Sequence, residues 1–406
     1  MTRQVRARVP IVLWIVGILC ASSGASIVAQ SEPPQPQAVT AADLQAAIGK
    51  LGDLDYDTRT RASRTVRRSP AAQAVPALIQ TVSDHPDGYV RYRALVLLTG
   101  FNDPRARDVM REALASPNDR LRTVAYSFFE HNPDRALLPT LLAASDKELD
   151  QFVRPSLVRA LAAQGAVSAG DDGARVRQVL LREAGRGQDF FRSAVIEALG
   201  EFKAQYAVET LTAIAKLDGP LQNDTAIALG RIGDRRALEV LAGMQRTAPK
   251  ESQPYVAAAI CLLGLNCDTH ERFLVETLTF ADTNSGYQAL LRAAAAGLAD
   301  VAIAGHAEAV EALLTAGIPS RDPARAPISL ALATIALRRT PLMLTSLQAH
   351  SNRDAAIGLM AEGFDILEED YEKERFFAFA RRTYWDSPEG SPVRALMQTL
   401  IGKLDF

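Results

Sequence analysis

Residues 90–100 read VRYRALVLLTG: an apolar residue, an arginine, then a run of alanine, leucine and valine closing on glycine. The same grammar returns at Thr58-Arg59, Leu121-Arg122, Val153-Arg154 (VRPSLVRALAAQG), Phe191-Arg192 (FRSAVIEALG), Leu221-Gln222 (LQNDTAIALG), Tyr255-Val256 (YVAAAICLLG) and Gly286-Tyr287 (GYQALLRAAAAG). Successive copies stand 32, 31, 32, 38, 30, 34 and 31 residues apart, so one helical unit has been copied about eight times. Such a unit buries its apolar flank only by stacking on its neighbours, which predicts an all-α solenoid with a long continuous surface.

A second pattern precedes the first within each unit: AVPALI at 74–79, DPRARDVM at 103–110, DRALLPTLL at 134–142, YAVETL at 206–211 and DRRALEVL at 234–241. Its apolar residues fall at helical spacing, so each unit reads as two helices. Asp103, Asp134 and Asp234 stand where the first helix begins and are predicted to accept from its free amides. Gly100, Gly165, Gly200, Gly230, Gly264 and Gly297 are expected at or near helix ends, where a left-handed residue costs glycine little.

The units resemble HEAT repeats, including the short form called HEAT-like or PBS-lyase-like. The likeness runs from about residue 41 to 300 and is carried best by Val90–Gly100 and Phe191–Gly200. It implies an α-solenoid and says little about activity, because the family holds scaffolds, transport factors, enzyme-assembly factors and a few catalysts. It also implies that Asp87 with Arg91, Asp119 with Arg122 and Asp189 with Arg192 cap helices and pair neighbouring units rather than bind a ligand.

The first 29 residues form a separate unit, with Arg3, Arg6 and Arg8 ahead of PIVLWIVGILC and a small-residue stretch. They read as an export signal cut after Ala29, or alternatively after Ala25. Left uncut, the charge-free run 10–29 is long enough to anchor the chain in an inner membrane. Leu19 argues against lipidation at Cys20. The expected location is periplasmic or secreted. Removing 1–29 takes three arginines and no acid, leaving 377 residues at a net charge of −5. Mild acidity argues against a nucleic-acid partner. The expected organisation is thus a signal at 1–29, a Pro/Gln-rich spacer at 30–40, a repeat solenoid at 41–317 and a divergent helical cap at 318–406. Beyond residue 300 the register loosens; GHAEAVEALLTAG at 305–317 has an ankyrin-like look but reads better as a final divergent helix pair.

Export leaves two cysteines, Cys261 and Cys267, as a disulfide candidate, with two free thiols as the alternative. Six-residue spacing without a further cysteine or histidine cluster in the sequence argues against a zinc site. Nucleotide-binding, nucleophile-elbow, metalloprotease and Cys-x-x-Cys signatures are absent. His85, His131, His270, His306 and His350 lie scattered through different units and read as surface or turn residues. Asp53-Leu54-Asp55-Tyr56-Asp57 lacks the glycine and the glutamate of a calcium loop, since Thr58 and Arg64 stand there. The acidic run 367–374 reads as a solvated helix face or a docking patch for a basic partner. No catalytic, cofactor-binding or metal residue is assigned. A single His270-Glu271 pair does not meet the ligand demand of a repeat-built di-iron hydroxylase, and no bilin-binding residue maps onto the chain.

The expected function is a non-catalytic exported scaffold that binds a protein or peptide along the inner face of its second helices. The alternative is an assembly or regulatory subunit of a cell-envelope enzyme, including a lyase-type accessory factor. Tyr89, Tyr92, Tyr126, Phe128, Phe129, Phe190 and Phe191 are the aromatics near that face, most of them expected in the core.

Overall fold

The structure is a computed structural model that describes residues 39–406. The expected signal at 1–29, its cleavage after Ala29, the uncut span at 10–29, Cys20 and nearly all of the 30–40 spacer lie outside the described residues. Among the described residues the chain is all-α, with 22 α-helices and no strand. No helix there is long and apolar enough to cross a membrane.

The first twenty helices form ten pairs. They are α1 (Ala41–Gly49) with α2 (Tyr56–Arg68), α3 (Ala71–Asp84) with α4 (Gly88–Thr99), α5 (Arg105–Ala113) with α6 (Asp119–His131), and α7 (Leu138–Lys147) with α8 (Arg154–Val167). Next come α9 (Gly170–Ala184) with α10 (Asp189–Glu201), α11 (Val208–Ala215) with α12 (Gln222–Ile232), and α13 (Leu238–Thr247) with α14 (Gln253–Leu262). The last three are α15 (Cys267–Thr283) with α16 (Gln288–Ala304), α17 (Ala307–Gly317) with α18 (Arg325–Arg338), and α19 (Thr340–Ala349) with α20 (Arg353–Ile366). The second helices stack in one unbroken row from α2 to α20. The eight copies read in the sequence are α2 to α16 of that row.

The two helix types differ because their surroundings differ. In α5 only Ala106, Val109, Met110 and Ala113 are buried, one stripe at helical spacing. In α4 every residue from Ala94 to Leu98 is buried, because α3 covers one side and the neighbours in the row cover the others. Close stacking then demands small residues. A Cβ on Gly200 would lie 2.8 Å from the Ala228 Cα, and one on Gly230 would lie 2.6 Å from the Ala259 oxygen, so α10, α12 and α14 meet backbone to backbone. Five of the six glycines do stand at or near helix ends, Gly297 being mid-helix, but only Gly264 is left-handed, with φ at +74°. The others serve packing within or beside the row.

The capping expectations hold for four of the six aspartates: Asp87 accepts from the amide of Tyr89 at 2.8 Å, but Asn118 caps α6 in place of Asp119, and Asp189 pairs with Arg192 inside α10 without capping it. Asp103, Asp134 and Asp234 accept from the amides of Arg105, Ala136 and Arg236 at 2.9–3.1 Å. At the start of the second helices, Arg91, Arg122 and Arg192 donate to the carbonyls of Val82, Ser116 and Ala184 at the end of the preceding helix or turn. Arg122 also pairs with Glu148 and Arg154 with Glu183, each tying one unit to the next.

Residues 318–406 hold α18 to α22. The first three continue the stacking, with α17 and α18 forming an ordinary pair. The last two, α21 (Asp370–Asp386) and α22 (Pro392–Lys403), fold back on the solenoid. Helix α21 packs on α4 and α6 near one end of the row and on α18 near the other, closing the chain on itself. Its acidic run is therefore neither a solvated face nor a patch awaiting a partner. Glu374 is fully buried and accepts from Arg67 Nε at 2.7 Å. Glu372 takes His131 and Arg375 at 2.6 Å each, and Asp370 takes Tyr92 and Arg93. A Cβ on Gly100 would collide with the Glu374 carboxylate, so that glycine admits α21. Phe406 is buried with its ring stacked on Phe377 at 4.1 Å, and Asp405 pairs with Arg64.

Candidate binding site in the lumen

Helix α21 crosses the N-terminal half of the inner row, and beyond it lies the C-terminal half. A cavity of about 500 Å³ opens there between α10, α12, α14, α16 and α18. Ile227, Ala299, Ile303, Leu330 and Ala331 make most of its wall apolar, and each of these helices adds a charge or a hydroxyl, α18 through Thr334. Glu197 comes from α10, Asp224 and Arg231 from α12, Tyr255 from α14, and Arg292 and Asp300 from α16. The repeat explains the convergence: equivalent faces of successive second helices point into the same space.

The charges are unequally satisfied. Asp300 is paired with Arg231, and Asp224 accepts from Ser193 Oγ at 2.6 Å. Glu197 and Arg292 have no hydrogen bond or ion pair among the described residues. The surrounding walls desolvate all three carboxyls and raise their pKa above the ordinary range, although the Glu197 side chain itself stays exposed, and Asp224 pushes Glu197 further in that direction. Burial works to lower the Arg231 pKa, but Asp300 and Glu201 outweigh it. Glu197 also lines a neighbouring cavity of about 390 Å³, on whose rim Phe190 stands 62% exposed. Arg159 in that second cavity is held by both oxygens of Glu130. Tyr126, Phe129 and Phe191 are core, Phe128 packs against it, Tyr92 belongs to the α21 seam and Tyr89 is half-buried on another cavity, so Phe190 is the exposed one of the seven.

Cys261 and Cys267 are bonded to each other. Gly264 and Asn266, both at positive φ, turn the chain between α14 and α15 and bring them together. The histidines are more engaged than the turn reading implied. His131 lies in the α21 seam stacked on Tyr371, His306 faces Glu271 at 3.4 Å, and His350 faces Glu311 at 3.6 Å.

Sequence reading missed the lumen cluster. Its signal is a charge inside an Ala-rich second helix, as with Glu197 in VIEALG, Asp224 in NDTAIALG and Asp300 in GLADVAIA. Nothing in the spacing shows that the three converge.

Stacked helix pairs around an inner cavity define an α-solenoid. The HEAT repeats family model matches residues 44–128 and 75–162, so the chain carries HEAT repeats over that stretch. No curated protein sequence matches it. Among solved structures it is similar to the karyopherin Kap121p bound to the extreme C-terminus of the phosphatase Cdc14p, at 13% identity and TM-score 0.42, over 89% of this chain and 45% of that one. Importin beta matches at 14% identity and TM-score 0.41, over 89% and 55%. The CpcE–CpcF complex of phycocyanin lyase from Nostoc sp. PCC7120 matches at 18% identity and TM-score 0.26, over 82% and 96%. The chain spans about half the length of the karyopherins. None of these likenesses bears on what this chain binds.

Proposed function

We propose that the chain is an exported, non-catalytic scaffold that takes a protein or peptide partner through the lumen cavity, with a lysine or arginine of the partner as anchor. The carrying observation is Glu197, unpaired beside Asp224 on an apolar wall. The methylene stem of a basic side chain suits the apolar surface, and its charged end offsets the cost of keeping carboxylates ionised there. Export through residues 1–29 is part of the reading, with retention by an uncut anchor as its variant.

The test places a photo-crosslinking residue at Leu330 or Ile366 in cells, with and without Glu197→Lys. A partner whose crosslinked peptide carries a lysine or arginine, and which is lost in the variant, supports the proposal. Crosslinks indifferent to Glu197→Lys would sink it.

The second reading, a subunit or regulator of an envelope enzyme, draws on the raised pKa of Glu197 and Asp224 in one cavity, as acid–base chemistry requires. It predicts a turnover abolished by Glu197→Gln while partner binding survives.

A further inference from the structure

Away from the lumen, four metal-ligating side chains meet at the junction of α14, α15 and α17. Cys261 is buried at the end of α14, Cys267 opens α15, Glu271 stands one turn further along α15, and His306 precedes α17. The Cys267 sulfur is 3.7 Å from His306 Nδ1 and 3.8 Å from Nε2, and Glu271 Oε2 is 3.4 Å from Nδ1. One ligand atom each from Cys261, Cys267 and His306 lies within 4.8 Å of the others.

We propose that reduction of the Cys261–Cys267 bridge opens a tetrahedral site for a divalent cation of the zinc type, with both thiolates, His306 and Glu271 as ligands. Zinc lies about 2.3 Å from sulfur and about 2.0–2.1 Å from imidazole nitrogen, which sets sulfur and nitrogen about 3.6 Å apart in a tetrahedron. The Cys267–His306 separations are already close to that edge, and Glu271 already stands beside His306, so the two sulfurs must part and the Glu271 carboxylate must swing toward them. Glu271, four residues after Cys267 on one helix, lies on the same face. A cavity of about 440 Å³ lined by Asp268, Glu271, Glu308, Arg272 and His306 gives a cation an approach with three acids against one arginine. The other cluster of this composition, Glu130, His131 and Glu372, already holds Arg159 and Arg375 and has no room for a further cation. The inference is independent of the lumen reading.

The chemistry balances with a dithiol as reductant. It transfers two electrons and two protons to the disulfide and becomes a disulfide itself. On metal binding the two thiols release two protons to solvent. The ion would then join α15 to α17, and the state of the sulfurs would decide whether this joint is covalent within one turn or metal-bridged between units.

The experiment uses the full chain with Cys20→Ser throughout, reduced by a phosphine, which takes an oxygen from water and does not compete as a thiol. Co²⁺ is added without air. The expected result is one equivalent bound to the reduced protein, with sulfur-to-cobalt charge-transfer absorption and tetrahedral visible bands. The oxidised protein, with the same fold, shows neither. His306→Ala weakens binding at least tenfold, and Cys261→Ser, which leaves Cys267 as the one thiolate, roughly halves the charge-transfer band. Equal uptake by reduced and oxidised protein, a spectrum without sulfur, indifference to His306→Ala, or loss of helicity on reduction would each overturn the proposal.

Discussion

Gly230 shows how a single position governs the stacking. Its missing Cβ lets α12 lie against the α14 backbone, and the atoms in the way are the Ala259 oxygen at 2.6 Å and Cα at 2.7 Å, neither of which is a flexible side-chain end. Gly230→Ala is expected to destabilise by about 1–3 kcal/mol through overpacking. Gly243, also helical but with nothing within 4 Å of a built Cβ, is the control. Gly243→Ala should gain up to about 1 kcal/mol from helix propensity. Urea midpoints of the two variants moving in the same direction would contradict this account. Glu372 gives a titration at the same scale. Burial works to raise its pKa, but His131, Arg375 and Arg338 outweigh it and hold it down to about 2 against an ordinary 4.5. A carboxyl depressed in the folded state stabilises above its unfolded pKa and loses that contribution as the pH falls toward the folded one. The seam should therefore lose about 2 kcal/mol between pH 5 and pH 3. Glu372→Gln should be less stable than the wild type at pH 7 and lose correspondingly less on acidification. Parallel pH profiles for variant and wild type would show that Glu372 does not carry the effect.

At the scale of the element, α21 is the helix whose place matters most. Glu374, fully buried, faces Arg67 at 2.7 Å and Arg381 at 3.4 Å, and those side chains are 7% and 11% exposed. Glu374→Ala leaves two buried cations without their carboxylate, a loss of about 3–5 kcal/mol. Hydrogen exchange should quicken first across α21 and in α2 and α4, while α12 to α16 keep their protection; uniform quickening along the chain would mean that α21 is not a separate contact. This helix also marks where the sequence stops being legible. Helices α2 to α16 could be read because each repeats the same solution, small residues against small residues at a near-constant interval. The docking of α21 could not, because its partners stand far off in the chain, Glu374 with Arg67 and Glu372 with His131. An acidic run bound for a buried seam has the same composition as one bound for solvent. The lumen cluster was hidden for the same reason, since each repeat supplies only one or two of its charges. The Cys261–Cys267 pair was legible as a pair because a glycine-bearing turn joins its halves, whereas His306 arrives from a different unit.

For the whole molecule, the consequence of α21 is closure. A row of helix pairs is held by nearest-neighbour contacts and by itself leaves two open ends and a bare inner face. Here α21 and α22 bridge the ends through Arg67–Glu374, Arg93–Asp370 and Arg64–Asp405, lie across α4 and α6, and leave the cavity in the C-terminal half of the lumen clear. Closure and stacking are separable, because the pairs do not need α21 in order to stack on one another. Asp370→Lys combined with Glu374→Lys sets like charges against Arg93 and Arg67 in a half-buried to buried seam, where they are poorly screened. The expected result is an opened solenoid: a larger radius of gyration by small-angle scattering, with far-ultraviolet helicity nearly unchanged. Raising the salt concentration should recover little of the closure, since the buried pairs lie out of reach of mobile ions. A compact particle in the double variant would show that apolar contacts such as Phe377 on Phe406 hold the ends without the ion pairs. Loss of helicity along with compactness would show that the repeats depend on closure and do not stand as an independent row.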